Sequence, residues 1–250
     1  MNKSILSLAA AAVASFAVGS ASAYVIYSGV DTGGPEAALA TTPNSSGAEN
    51  SFKSNLIGVG TETFEGLATG SVVPLVLNFG AAGTATLQGG SGQVRSLSAG
   101  QTTNGAGRYS VPGGSKWFDT VAGGSATFNI SFSQDVAAFG FYGIDIGDFN
   151  GTVTLEFLDS NSTVVGSLNV PTAPTATANA SVIYFGAIAQ NNNELFRSVR
   201  FVTTGGSDFF GFDSFTIGAQ NQVGTSVPEP TTLALIGAAM LGLGLSRRRA

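Results

Sequence analysis

Polar and apolar residues alternate without a break through Thr127-Phe128-Asn129-Ile130-Ser131-Phe132-Ser133, and again through Thr152-Val153-Thr154-Leu155-Glu156-Phe157. In an extended chain successive side chains point to opposite faces, so each run buries one face and wets the other; a helix cannot sort side chains at that period. Ser198-Val199-Arg200-Phe201 repeats the pattern more briefly, and residues 72–79, 136–141, 164–170, 182–185 and 212–217 are further strand candidates. Turn clusters separate them: Gly89-Gly90-Ser91-Gly92, Pro112-Gly113-Gly114 and Asn150-Gly151. No long stretch carries a helical period. The pattern predicts an all-β fold, a single β-sandwich or jelly roll over residues 56–220. Without a fixed-period repeat, a propeller or β-helix is disfavoured. Residues 24–55 are polar and rich in small residues and read as a loop or partly ordered arm; residues 221–227 read as a short linker.

Only 10% of residues are charged and glycine is abundant, yet the chain holds 18 phenylalanines, most of them inside strand patterns. A disordered chain lacks such residues, because it has no core to put them in. Cysteine and histidine are both absent. That excludes a disulfide framework, Ser-His-Asp and Cys-His catalysis, and every His- or Cys-ligated metal site, leaving oxygen-ligated calcium as the metal to consider. Between residues 24 and 226 there are 14 acidic and 6 basic residues, a net charge of −8. An acidic domain repels phosphate backbones, so no nucleic-acid partner is expected.

Both ends read as addresses. Met1-Asn2-Lys3-Ser4, an apolar run over 5–18 and a small-residue end, Gly19-Ser20-Ala21-Ser22-Ala23, form the three parts of a secretory signal peptide (residues 1–23). Ala21 and Ala23 make the Ala-x-Ala site for signal peptidase, so the mature chain is expected to begin at Tyr24. At the other end, Pro228-Glu229-Pro230 precedes an apolar run over 233–245 and then Arg247-Arg248-Arg249. Thirteen helical residues span about 20 Å against a hydrocarbon core of about 30 Å, a marginal anchor, and the three arginines orient it with its end in the cytoplasm.

This tail, residues 228–250, resembles the PEP-CTERM sorting signal of Gram-negative bacteria. The resemblance rests on Pro228, Glu229 and Pro230 as the motif, on the short apolar run as a transmembrane sorting helix, and on Arg247, Arg248 and Arg249 as its basic end. It implies an inner-membrane intermediate, processing by an exosortase-type enzyme near the motif, and delivery to the cell surface or extracellular matrix. The same tail type is also known as the C-terminal segment of some ice-binding proteins. Four segments of the middle look like those of exported PEP-CTERM domains: Phe64-Glu65-Gly66, Gly107-Arg108-Tyr109, the run from Ala138 to Phe149, and Asp208-Phe209-Phe210-Gly211-Phe212-Asp213. That resemblance implies a jelly roll similar to galactose-binding or carbohydrate-binding modules.

Candidate sites are few. Asp145 and Asp148 follow an apolar strand, and Asp208 and Asp213 flank a phenylalanine-rich strand. Carboxylates on turns suit calcium, and they equally suit hydrogen bonds from loop amides. Tyr109 and Trp117 lie in the glycine-rich stretch 105–119, where an exposed ring stacks on a sugar and a buried one packs the core. Three functions follow from these readings. The first is a non-enzymatic exported surface protein that binds polysaccharide. The second is an exported glycoside hydrolase using a carboxylate pair, Glu62 with Glu65 or Asp145 with Asp148. The third is an ice-binding protein, for which Thr127, Thr152 and Thr154 are available without a regular ladder.

Overall fold

The computed structural model describes residues 24–34, 37–98, 103, 105–124, 127–174 and 179–224. The expected signal peptide, with Ala21 and Ala23 as its expected cleavage residues, and the whole sorting tail lie outside the described residues. Among those described are thirteen strands: β1 (Val25–Asp31), β2 (Thr61–Glu62), β3 (Leu75–Asn78), β4 (Thr84–Gln88), β5 (Gln93–Ser96), β6 (Lys116–Gly123), β7 (Asn129–Val136), β8 (Ala138–Ile144), β9 (Thr152–Leu158), β10 (Val164–Asn169), β11 (Val182–Ile188), β12 (Phe196–Thr204) and β13 (Ser207–Gly218). One α-helix, α1 (Pro43–Lys53), accompanies them.

The strands form two sheets, and every strand pair is antiparallel. The front sheet runs β1-β11-β8-β13-β6-β5, with β2 also paired to β13; the back sheet runs β10-β9-β12-β7-β4-β3. The expectation of a two-sheet all-β domain therefore holds. The alternation that predicted it is visible in β7, where Ile130, Phe132 and Val136 are buried while Ser133 and Asp135 face water. Between the sheets lies a phenylalanine-dense core, with Phe128, Phe139, Phe141, Phe201, Phe212 and Phe215 each at most 2% exposed. The rings meet edge-on or offset at centroid distances such as 5.5 Å for Phe128–Phe212 and 5.2 Å for Phe141–Phe212. Such contacts are favourable beyond the area they bury.

Two front-sheet strands break the alternation. All seven residues of β8 and all seven of β11 are buried. Over these two strands the outer side of the sheet is covered rather than wet, by α1 and by the loop that carries Tyr109. The segment expected to be a loop or partly ordered arm supplies that cover. β1 pairs with β11 along its full length, and Phe52 of α1 lies flat over Gly140 and Gly186. A Cβ on Gly186 would come 2.6 Å from the Phe52 ring, so glycine is required for the helix to sit this close. Asp31, at the end of β1, accepts the Asn44 N–H at 3.0 Å, the Ser45 N–H at 2.8 Å and the Ser45 hydroxyl at 2.6 Å. It satisfies free amides at the N-terminus of α1, which its own N-cap side chain leaves unbonded. β1 and α1 are thus integral to the sandwich.

The expected linker is also tied down at its start. Leu56 bridges Val223, the Ile57 N–H donates to the Gln222 carbonyl at 2.8 Å, and the Gly224 N–H donates to the Asn55 carbonyl at 2.8 Å. The chain stays part of the domain up to Gly224.

Candidate functional site

The outer face of the front sheet carries the polar chemistry. Register sets which side chains share it: Arg95 of β5 lies opposite Trp117 of β6, Asp119 opposite Gly211 of β13, and Val121 opposite Phe209. These positions alternate with the core residues Phe118, Phe210 and Phe212. Adjacent phenylalanines in a strand must point to opposite faces, so burial of Phe210 puts Phe209 outside. Phe209 is 55% exposed.

Arg108, from the loop before β6, crosses this face. Its Nε donates to Asp119 Oδ1 at 2.6 Å, and one terminal nitrogen donates to the Ala106 carbonyl at 3.0 Å. The same nitrogen stands 3.7 Å from Asp145 Oδ2, and the guanidinium carbon sits 5.8 Å from the Phe209 ring centre. Arg95 approaches the other oxygen of Asp119 at 3.6 Å while its side chain stays about half exposed. Arg95, Ser96, Thr103, Arg108, Trp117 and Asp119 line an open depression of about 360 Å³. Donors and acceptors therefore alternate in it, beside one free aromatic ring.

The four aspartates named from the sequence do not make a calcium cage. Asp145 and Asp208 share an electrostatic neighbourhood with Asp148 and Arg108, whereas Asp213 faces Glu65 instead. Among the described residues, no group of three or more acidic, histidine or cysteine side chains is placed to hold a metal. The cation beside Asp145 is Arg108. The carboxylates serve loop amides: Asp145 Oδ1 accepts the Ala180 N–H at 3.0 Å, Asp208 Oδ2 the Gly147 N–H at 3.0 Å, and Asp213 Oδ2 the Val111 N–H at 2.9 Å. Asp145 and Ala180 both adopt the left-handed backbone region, at φ 68° and 58°, so their hydrogen bond fastens two strained residues together. Asp145, Asp208 and Asp213 are nearly fully buried while Asp148 is exposed. Burial pushes Asp145 and Asp208 up to about 7 and Asp213 up to about 8, against the amide hydrogen bonds that pull the other way.

The two aromatics for which sugar stacking or core packing was open are inside. Tyr109 is 2% exposed; its hydroxyl donates to the Ala180 carbonyl at 2.6 Å and accepts the Leu39 N–H at 3.0 Å. Trp117 is 6% exposed and lies across Gly211, where a Cβ would come 3.1 Å from the indole. Tyr109 glues the covering loop to the sheet, Trp117 floors the depression, and Phe209 is the ring exposed on this face. The Phe209-Phe210 doublet was the available signal, since two neighbouring strand residues cannot both enter one core.

The carboxylates considered for hydrolysis are engaged locally. Glu62 accepts the Phe64 N–H at 2.6 Å. Glu65 accepts the Ser115 N–H at 2.6 Å, the Ser115 hydroxyl at 2.8 Å and the Lys116 N–H at 2.7 Å; desolvation raises its pKa, but these bonds outweigh it and hold the carboxyl below its ordinary value. On the back sheet, Thr152 shares a 2.6 Å hydroxyl contact with Thr204, and Thr154 donates to Asn169 at 2.9 Å.

Residues 226–249 match the PEP-CTERM protein-sorting motif. No curated protein matches the sequence. Among solved structures, the chain is similar to a DUF4465 family protein from Bacteroides caccae, at 12% identity and a TM-score of 0.40, covering 65% of this chain and 99% of that one. It is also similar to the K2 cleaved adhesin domain of Lys-gingipain, at 14% identity and a TM-score of 0.37, covering 64% and 97%. A third is the CBM22-1 xylan-binding domain of Paenibacillus barcinonensis Xyn10C, at 15% identity and a TM-score of 0.35, covering 65% and 96%. The chain carries a PEP-CTERM sorting motif and is an exported protein; that motif is a signal for exosortase processing.

Proposed function

We propose that this exported protein is a non-catalytic polysaccharide binder, released at its tail and held at the cell surface or in the extracellular matrix by the outer face of its front sheet. The observation that carries this reading is Phe209, the one exposed aromatic ring among the described residues, standing beside the Arg95–Asp119–Arg108 array. The C–H face of a pyranose is apolar and packs on such a ring. The sugar's hydroxyls then meet guanidinium donors and a carboxylate acceptor, and charge-assisted hydrogen bonds of this kind are the stronger ones. An exported location supports the reading, since polymers outside the cell are what such a site meets.

Replacing Phe209 by alanine is expected to weaken binding to the producing cells' polysaccharide about tenfold, the effect of roughly 1.4 kcal/mol. The ring is half in water, so the melting temperature should barely move. Retardation in polysaccharide-containing gels reads the affinity. Binding unchanged by Phe209→Ala, or no binding to any polymer of the cell, defeats the proposal. Release of reducing sugar by the wild type would place the protein among the hydrolases instead.

A further inference from the structure

We infer that the ligand of this face is a neutral polysaccharide, one whose sugars offer hydroxyls and carry no carboxylate or sulfate. The inference rests on the binding reading above and is drawn from where every described cation is spent. Lys53 pairs with Glu49, Arg197 with Asp135 and Arg200 with Glu156. Lys116 donates to the Glu65 and Leu67 carbonyls at 2.9 and 2.6 Å. Arg95 and Arg108 both converge on Asp119, and Arg108 also faces Asp145. Among the described residues no lysine or arginine stands apart from an acceptor, so none is left to neutralise an anionic polymer.

At the depression itself no net positive charge is left over. Two guanidinium groups face Asp119 and Asp145, with Asp148 exposed nearby. A uronate or sulfate ester using the same arginine edges lies beside Asp119, with Asp148 nearby, and like charges at that range discriminate by repulsion. A hydroxyl faces no such conflict. It accepts from an arginine edge and donates to Asp119 at once, which is the pairing that the alternation of donor and acceptor offers.

The protein purified from its exporting host should be run against two panels, one neutral (xylan, mannan, galactan, dextran) and one acidic (alginate, polygalacturonate, hyaluronate, dextran sulfate). We expect at least one neutral polymer to bind tenfold or more tighter than every acidic one. Its affinity should change less than twofold on raising salt to ~0.5 M, because no net ion pair is formed. Asp119→Asn should weaken the neutral ligand several-fold and strengthen the acidic polymers. An acidic polymer that binds tightest and is released by salt overturns the inference while leaving the binding reading in place. Failure of both panels, or binding indifferent to Phe209→Ala, overturns the binding reading itself and this inference with it.

Discussion

Changing Pro228, Glu229 and Pro230 together to alanine should leave the protein uncut and retained in the inner membrane, with no processed form outside the cell. The fold sharpens this expectation. Antiparallel bonds hold the chain in the domain up to Gly224, only four residues before Pro228. At about 3.5 Å per extended residue the motif begins within roughly 14 Å of the domain, and the apolar run at 233 within roughly 32 Å. The sandwich therefore rides close to the bilayer while anchored, and the processing enzyme must work in the narrow gap beneath it. Immunoblots of membrane and extracellular fractions measure the outcome. Near-complete loss of the shorter species is expected, and insertion should persist because the apolar run and Arg247, Arg248 and Arg249 are untouched. Replacing those arginines by glutamate should disturb orientation as well. A triple-alanine chain cut and delivered like the wild type would reduce the tail to a plain anchor.

The second large effect is on stability against pH. Asp145 and Asp208, raised to about 7, and Asp213, raised to about 8, hold their protons in the folded state well above the pH at which an unfolded chain releases them. Between roughly pH 4 and the folded pKa the native state thus binds more protons than the unfolded one, and stability falls as pH rises, by about 1.4 kcal/mol per unit for each such group. The contribution is complete below pH 4 and lost through pH 7–8. For a domain of about 200 residues each kcal/mol moves the melting temperature by about 2–4 °C, so a drop of ten degrees or more from pH 5 to pH 8 is expected. Asp208→Asn isolates one contribution. Asp208 Oδ2 accepts the Gly147 amide, which an asparagine oxygen can do equally, while Oδ1 has no hydrogen-bond partner. The variant should show a shallower fall with pH and a higher melting temperature than the wild type at pH 8. An equal slope in both would mean that Asp208 is ionised throughout.

The sandwich was legible because its strands obey period two. The runs at Thr127 and Thr152 became β7 and β9 within two or three residues, and the glycine clusters at 89–92 and 112–114 are turns between strands or before one. β1 and α1 were not legible. β1 mixes half-exposed and exposed positions as an edge strand does, and α1 is Pro-Asn-Ser-Ser-Gly-Ala-Glu-Asn-Ser-Phe-Lys, whose one large apolar side chain is Phe52. What makes that helix is tertiary: Asp31 at its start and two glycines beneath its phenylalanine. The same cause defeated the site reading. Tyr109 and Trp117 are exposed only if the loop around them stands free, and that loop folds over the sheet. Asp145 follows β8 as expected, while Asp208 and Asp213 lie within β13, and all three accept hydrogen bonds from loop amides. Arg95 and Asp119 lie on strands more than eighty residues before β13, and only the register of β5, β6 and β13 puts them beside Phe209.

The most direct test of the binding face is amide hydrogen exchange with and without saturating polysaccharide, read along the chain. Slowed exchange should concentrate at Gln93–Ser96, at Arg108, along Lys116–Gly123 and around Phe209, with the back-sheet surface at Thr152, Arg200 and Thr204 unchanged. Protection on the back sheet with none at Phe209 would contradict the account.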